Sequence, residues 1–92
     1  MIRSFKHRGL KRLYEDEDRS GIRPDLADAL QEIITVLDAA QSPLDLNFPG
    51  YRLHPLKGPW KGFWSVTVRA NWRIVFRFDG NHAFDVELID YH

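Results

Sequence analysis

Three consecutive stretches near the C-terminus alternate apolar and polar residues, and this alternation constrains the fold more than any other feature of the sequence. A period of two residues is typical of strands that bury one face. Short turns at residues 70–71 and 79–81 separate the stretches, and the last one runs from about residue 83 to the end. The apolar positions expected to face the core are Trp64, Val66, Val68, Trp72, Ile74, Phe76, Phe78, Phe84, Val86 and Leu88.

Helical spacing replaces alternation in the first half of the chain. Leu10, Leu13 and Tyr14 predict a first helix that ends in an acidic run, and an apolar stripe predicts a second helix from about residue 24 to about residue 40. Residues 2–5 and 51–56 each predict a short strand. The order β-α-α-β-β-β predicts a single α+β domain over residues 1–92, a small antiparallel sheet with its two N-terminal helices packed on one face.

Length and composition narrow the class of protein. A chain of 92 residues is about the size of one small domain, and without cysteine it has neither a disulfide framework nor a thiolate metal site. The 4 histidines lack metal-ligand spacing, so we expect no metal and no cofactor. No apolar run reaches the length of a membrane helix, and a cytoplasmic protein is expected.

The charges are balanced in number but not in position. Thirteen basic and 13 acidic residues give a formal net charge of zero, which at first argues against a nucleic-acid partner. Between residues 46 and 78, however, every charged side chain is basic: Arg52, Lys57, Lys61, Arg69, Arg73 and Arg77. Arg69 and Arg73 flank a hairpin turn and are expected to be neighbours on the sheet face away from the helices. This set predicts a positive surface for phosphates, although each cation alone could be ordinary surface decoration.

Two stretches carry groups suited to acid–base chemistry. Cleaving RNA without a metal needs a base for the 2′-hydroxyl, cations for the phosphate and an acid for the leaving 5′-oxygen. His54 stands before Pro55, with Lys57 one turn later, and the chain closes with Asp90, Tyr91 and His92. Taken singly, each of these residues is more often structural. Trp60, if exposed, could stack on a base or pack on its own loop, and both interpretations stay open.

Four ordered motifs bear a family resemblance that covers essentially the whole chain. Residues 52–58 (Arg-Leu-His-Pro-Leu-Lys-Gly), 64–68, 71–74 and the closing Asp-Tyr-His at 90–92 resemble the HigB toxins of the RelE/ParE superfamily of bacterial toxin–antitoxin systems. The resemblance implies the small RelE-like fold. It also implies a ribosome-dependent messenger-RNA endonuclease (an mRNA interferase) that acts in the ribosomal A site and inhibits translation. The expected partner is a HigA-type helix-turn-helix antitoxin, with operator DNA bound only through that antitoxin.

The resemblance also assigns roles to residues. It implies proton transfer by His54 and His92 with support from Tyr91, and orientation of neighbouring groups by Asp90. The phosphate-binding positions that it implies are Lys57, Arg69 and Arg73, and Trp60 and Lys61 are candidates for base stacking or a ribosome contact. Many relatives have charged residues where this chain has Pro59 and Trp60. Two alternatives stay open: a noncatalytic nucleic-acid- or protein-binding domain, and a ParE-like toxin that inhibits gyrase.

Overall fold

The computed structural model describes residues 1–91, in which two helices and a four-stranded sheet form an α+β fold. The elements are α1 (Arg8–Asp16), α2 (Ala27–Ala39), β1 (His54–Pro55), β2 (Trp64–Arg69), β3 (Trp72–Asp79) and β4 (His82–Asp90). The strands pair antiparallel in the order β1-β2-β3-β4. The predicted fold class and both helices are confirmed, and a 3₁₀ turn at Pro24–Leu26 leads directly into α2.

One hydrophobic core lies between the helices and the sheet. The apolar stripe of α2, including Leu30, Ile33 and Leu37, is almost completely buried. It packs in one cluster with the sheet residues Ile74 and Phe76, which are fully buried as well. The helices therefore cover one face of the sheet, and the opposite face, called the open face below, is available for function.

The N-terminal segment differs from the strand predicted for residues 2–5. It forms two isolated bridges, Ile2 with Ala83 and Phe5 with Val86, and both are parallel to β4 rather than antiparallel. The segment enters beside the outer edge of β4, where its hydrogen bonds close that edge. The Asp38 Oδ1 atom on α2 accepts the Ile2 N–H at 3.0 Å and the Tyr14 hydroxyl at 2.7 Å. This shared acceptor joins the N-terminal segment to both helices.

The strand predicted for residues 51–56 is much shorter than expected. A 3₁₀ turn occupies Pro49–Tyr51, and Arg52 has a left-handed backbone with φ 50°. Only His54 and Pro55 pair with β2. Extended pairing cannot begin earlier because a left-handed residue interrupts the strand conformation.

The prediction that Phe84 faces the core is wrong because β4 contains a β-bulge. The pairing of β3 with β4 shifts register between Val75 and Arg77, and Asp85 has a positive φ of 54°. One extra residue reverses the in–out alternation of the strand before it. Ala83 therefore takes the core position, while Phe84 pairs with Arg77, whose guanidinium lies 5.0 Å from the ring centroid.

Candidate functional site

A cleft of about 480 Å³ lies on the open face, and it contains most of the residues that the sequence analysis selected. The wall beside β1 includes His54, Lys57 and Trp60, while Arg73 and Tyr91 belong to the other side. The complete lining is Arg52, His54, Leu56, Lys57, Trp60, Ser65, Thr67, Arg73, Ile89 and Tyr91. The fold thus brings together two stretches that are far apart in the sequence.

Strand register fixes the spacing of the two main groups. His54 pairs with Ser65 on β2, whereas Arg73 pairs with Thr67, two residues further along that strand. With strands about 4.8 Å apart and a rise of about 3.3 Å per residue, the two Cα atoms are roughly 12 Å apart. Both side chains line the space between them. An imidazole and a guanidinium can therefore approach one bound group from opposite sides.

Arg73 is anchored to the backbone of the β2–β3 turn. Its Nη1 atom donates to the Ala70 carbonyl oxygen at 2.7 Å and to the Trp72 carbonyl oxygen at 3.2 Å. A guanidinium has five N–H donors in a rigid fork, so donors remain for an anion. The anchoring orients the group before a ligand arrives, which reduces the entropy lost on binding.

The C-terminal motif reaches the cleft through the same turn. The Tyr91 N–H donates to the Asn71 carbonyl oxygen at 2.7 Å, and the Tyr91 side chain is 53% exposed within the cleft. Asp90 pairs with Trp72 at the end of β4 and does not line the cleft. His92 lies outside the described residues, and its expected part in proton transfer stays a prediction.

Arg69 does not stand beside Arg73 as the alternation predicted. A register shift on β2 between Thr67 and Arg69 pairs Arg69 with Trp72, a residue packed against the core on the helix side. Near that side, hydrogen bonding from Arg23 holds the pKa of Asp25 below its usual value, and the charge of Arg69 contributes to the lowering. The displacement of Arg69 has the same cause as that of Phe84, an irregularity in strand pairing that shifts the alternation by one residue.

The loop that follows β1 contributes Lys57 and Trp60 to the lining of the cleft. Glycines with positive φ bound it, Gly58 at 65° and Gly62 at 93°. The Trp60 ring packs edge to face on Phe63 with ring centroids 5.1 Å apart, and the Lys6 Nζ atom lies 6.0 Å from the Trp60 centroid. Trp60 therefore packs on its own loop and also lines the cleft, so the two interpretations of this residue are compatible. Lys61 is exposed and is not part of the lining.

Several lining residues were given no role in the sequence analysis. Ser65 and Thr67 could have been found from the alternation of β2, because both occupy its polar positions. Ile89 could have been found in the same way on β4. Arg52 was expected only as one cation of the positive surface, and its left-handed backbone two residues before His54 has no signal in the sequence.

The electrostatic character of the cleft agrees with its basic sequence. Arg52, Lys57 and Arg73 line it, and no carboxylate does so among residues 1–91. A concave surface with charges of one sign concentrates the field and attracts anions. In the described part of the chain, no three potential metal-ligating side chains cluster together. The helices there are also too short or too polar to span a membrane.

The chain belongs to the HigB-like toxin family, the RelE-like toxins of the type II toxin–antitoxin system HigB, whose family model matches residues 3–92. It is 46% identical over 92 residues to "Endoribonuclease HigB" of Proteus vulgaris, with the whole of both chains covered. It is 36% identical over 90 residues to "Toxin HigB-1" of Vibrio cholerae, covering 96% of this chain and 95% of the relative. The resemblance seen in the sequence is confirmed.

Solved structures with low sequence identity share the fold. The toxin of the YoeB-YefM toxin–antitoxin complex from Staphylococcus aureus matches with a TM-score of 0.61 at 18% identity, covering 100% of this chain and 98% of that one. A point mutant of YafQ from E. coli matches with a TM-score of 0.59 at 20% identity, covering 95% of this chain and 89% of that one. These likenesses confirm the RelE-like architecture.

Proposed function

We propose that this toxin is an endoribonuclease that cleaves messenger RNA on the ribosome and thereby inhibits translation. The observation that carries the proposal is the basic cleft in which His54 and Tyr91 lie together with Lys57 and Arg73. Proton-transfer groups and phosphate-binding groups are the two components that RNA cleavage requires. The name of the Proteus vulgaris relative, an endoribonuclease that is 46% identical, supports the same activity.

The proposed reaction is an attack of the 2′-hydroxyl on the neighbouring phosphate. One imidazole, that of His54 or His92, removes the hydroxyl proton while the new oxygen–phosphorus bond forms. The bond to the 5′-oxygen breaks, and a second group, with Tyr91 in support, returns a proton to that oxygen. The products are a 2′,3′-cyclic phosphate and a free 5′-hydroxyl, so atoms and charges balance without a cofactor.

The cations stabilise the charge that grows on the phosphate. Arg73 is the main phosphate-binding group because its guanidinium is oriented by the turn, and Lys57 adds a second positive charge from the opposite wall. Asp90 orients the groups that follow it. Arg69 lies outside the cleft lining, and its role is limited to the surrounding positive surface.

Trp60 and Lys61 are proposed to act outside the reacting atoms. The ring of Trp60 lines the cleft and is supported from behind by Phe63, which makes it a rigid surface for stacking on a base. Lys61 is exposed on the same loop, where it can contact the ribosome.

The partners follow from the family. We propose a HigA-type helix-turn-helix antitoxin that neutralises the toxin and alone contacts operator DNA. The remaining partners are the cytoplasmic ribosome and its messenger RNA. Membership in a type II toxin–antitoxin family supports this set.

The test is expression of wild type and matched variants, with growth measured and 5′-ends mapped on translated messages. Wild type is expected to arrest growth and cut only translated RNA. Arg73→Ala and His54→Ala are expected to lose about 100-fold or more in cleavage rate, since each removes a proton-transfer or charge-stabilising group. Lys11→Ala, which removes an exposed charge on α1 outside the cleft lining, is the control. Growth arrest without translation-dependent cleavage would refute the nuclease assignment and favour another toxin class.

A further inference from the structure

Arg52 belongs to the positive surface expected for phosphates, but neither the proposed reaction nor the family resemblance gives it a contact of its own. It lines the cleft two residues before His54, on the wall opposite Arg73. Its side chain makes no hydrogen bond or ion pair with any of the described residues, whereas Arg23 and Arg77, for example, are paired with carboxylates. An arginine without a carboxylate partner, facing a basic cleft, is available to an anion.

The backbone of Arg52 supports a functional role. Its φ of 50° and ψ of 52° lie in the left-handed region, which residues other than glycine and asparagine rarely adopt. A glycine would adopt this conformation without strain, and strained backbone positions cluster at binding and active sites. The strain at Arg52 therefore accompanies an unpaired arginine in the lining of the cleft.

We infer that Arg52 binds a backbone phosphate of RNA next to the phosphate that is cleaved. Arg73 is already directed at the reacting group by its bonds to the β2–β3 turn, and Arg52 approaches from the other wall. A cleft of about 480 Å³ is in the range of ligand-binding sites and has room for more than one phosphate group. This inference rests on the proposed function, and it makes the RNA site at least two phosphates long.

The test combines an Arg52→Ala variant with RNA that carries one neutral methylphosphonate linkage. Cleavage is measured in single-turnover reactions on programmed ribosomes, with the neutral linkage placed immediately 5′ or 3′ of the cleaved one. Each change alone is expected to lower the rate by about 10- to 100-fold, the effect of losing one charge-assisted hydrogen bond. At one of the two linkage positions, the Arg52→Ala variant and the neutral linkage combined should lower the rate no further than either change alone. The reason is that both changes then remove the same contact.

A second test measures how the affinity for RNA depends on salt concentration. This dependence should not change if the role of Arg52 is only structural. For single-stranded nucleic acid, each phosphate contact contributes about 0.7 to the slope of log affinity against log salt. Arg52→Ala is expected to reduce the slope by about this amount, while Arg52→Lys, which keeps the charge, should retain most of it. Lys11→Ala, at an exposed position of α1 that is absent from the cleft lining, is the matched control for loss of a single positive charge.

Arg52→Gly separates binding from folding. Glycine relieves the left-handed backbone, so this variant is expected to unfold at a higher temperature than Arg52→Ala, yet to cleave as poorly. Glu17→Gly, at another left-handed position with φ 55° at the end of α1, should alter stability without altering cleavage. Wild-type cleavage by Arg52→Gly, or additive effects with both methylphosphonates, would overturn the inference. Absence of cleavage by wild type would instead refute the proposed function.

Discussion

Replacing Gly9 with alanine tests how closely the start of α1 approaches the segment that precedes α2. A Cβ atom on Gly9 would lie 2.0 Å from the Gly21 carbonyl oxygen and 2.6 Å from the Gly21 carbonyl carbon. The first distance is 1.4 Å less than the 3.4 Å at which ordinary contact begins. Because both atoms belong to the backbone, the clash cannot be relieved by rotating a side chain.

Two opposing effects decide whether the Gly9→Ala change raises or lowers the free energy of unfolding. Alanine favours a helix over glycine by about 1 kcal/mol, which would stabilise the variant. Overpacking a tight contact costs about 1–3 kcal/mol or more, and a backbone displacement lies at the upper end of that range. The Cβ would also lie 2.9 Å from the ring of His7, whose Nδ1 atom accepts the Leu10 N–H and caps the helix. We therefore expect a net loss of about 2 kcal/mol in the free energy of unfolding.

The measurement is thermal and urea unfolding followed by circular dichroism. For a domain of this size, a loss of about 2 kcal/mol lowers Tm by about 8–16 °C. Gly50→Ala is the matched control, because a Cβ there meets no atom within 4 Å, and its stability should stay within about 1 kcal/mol of wild type. A Gly9→Ala variant as stable as wild type would show that the two segments do not make this contact.

Three further predictions concern the core and the N-terminal segment. Asp38→Ala leaves the Ile2 N–H and the Tyr14 hydroxyl without their acceptor. Urea unfolding should show a loss of about 2–4 kcal/mol in the free energy of unfolding. The exposed Asp28→Ala, its control, should lose less than about 1 kcal/mol. Phe76→Ala opens a cavity at a fully buried position and should cost about 3–5 kcal/mol in the same assay. Burial, followed by the bond to Asp38, raises the pKa of Tyr14 above 10.0. The native state then retains a proton that the unfolded chain releases, so stability should fall as pH rises above about 10, and less steeply in Tyr14→Phe.

Local patterns in the sequence predicted the elements because those patterns follow from the geometry of each element alone. The spacing of Leu30, Ile33 and Leu37 matches a helical turn, and Ile74 and Phe76 match a strand that buries one face. Periodicity of this kind depends on which face is buried and not on what covers it. The α+β class and the two helices were therefore predictable.

The errors arise where a single residue interrupts a pattern or where a segment pairs with a distant part of the chain. The bulge at Asp85 moved Phe84 away from the core, and the register shift on β2 moved Arg69 away from Arg73. The parallel bridges of residues 2–5 join Ile2 to Ala83 and Phe5 to Val86, at the opposite end of the sequence. Such features are set by contacts between elements, and alternation in one strand carries no information about them.

The sequence by itself determined the class of protein and the chemical groups at its disposal. Its basic stretch contains the histidine, lysine and arginine that the cleft requires, and the ordered motifs identify a HigB-like toxin. Only the tertiary structure decided which groups meet. The successive pairing of β1, β2, β3 and β4 brings His54 and Arg52 to the same cleft as Arg73 and Tyr91. The register shift between β2 and β3 leaves Arg69 outside the lining. The physical reason is that register and bulges, which select the face on which each side chain lies, are properties of paired strands and not of one strand.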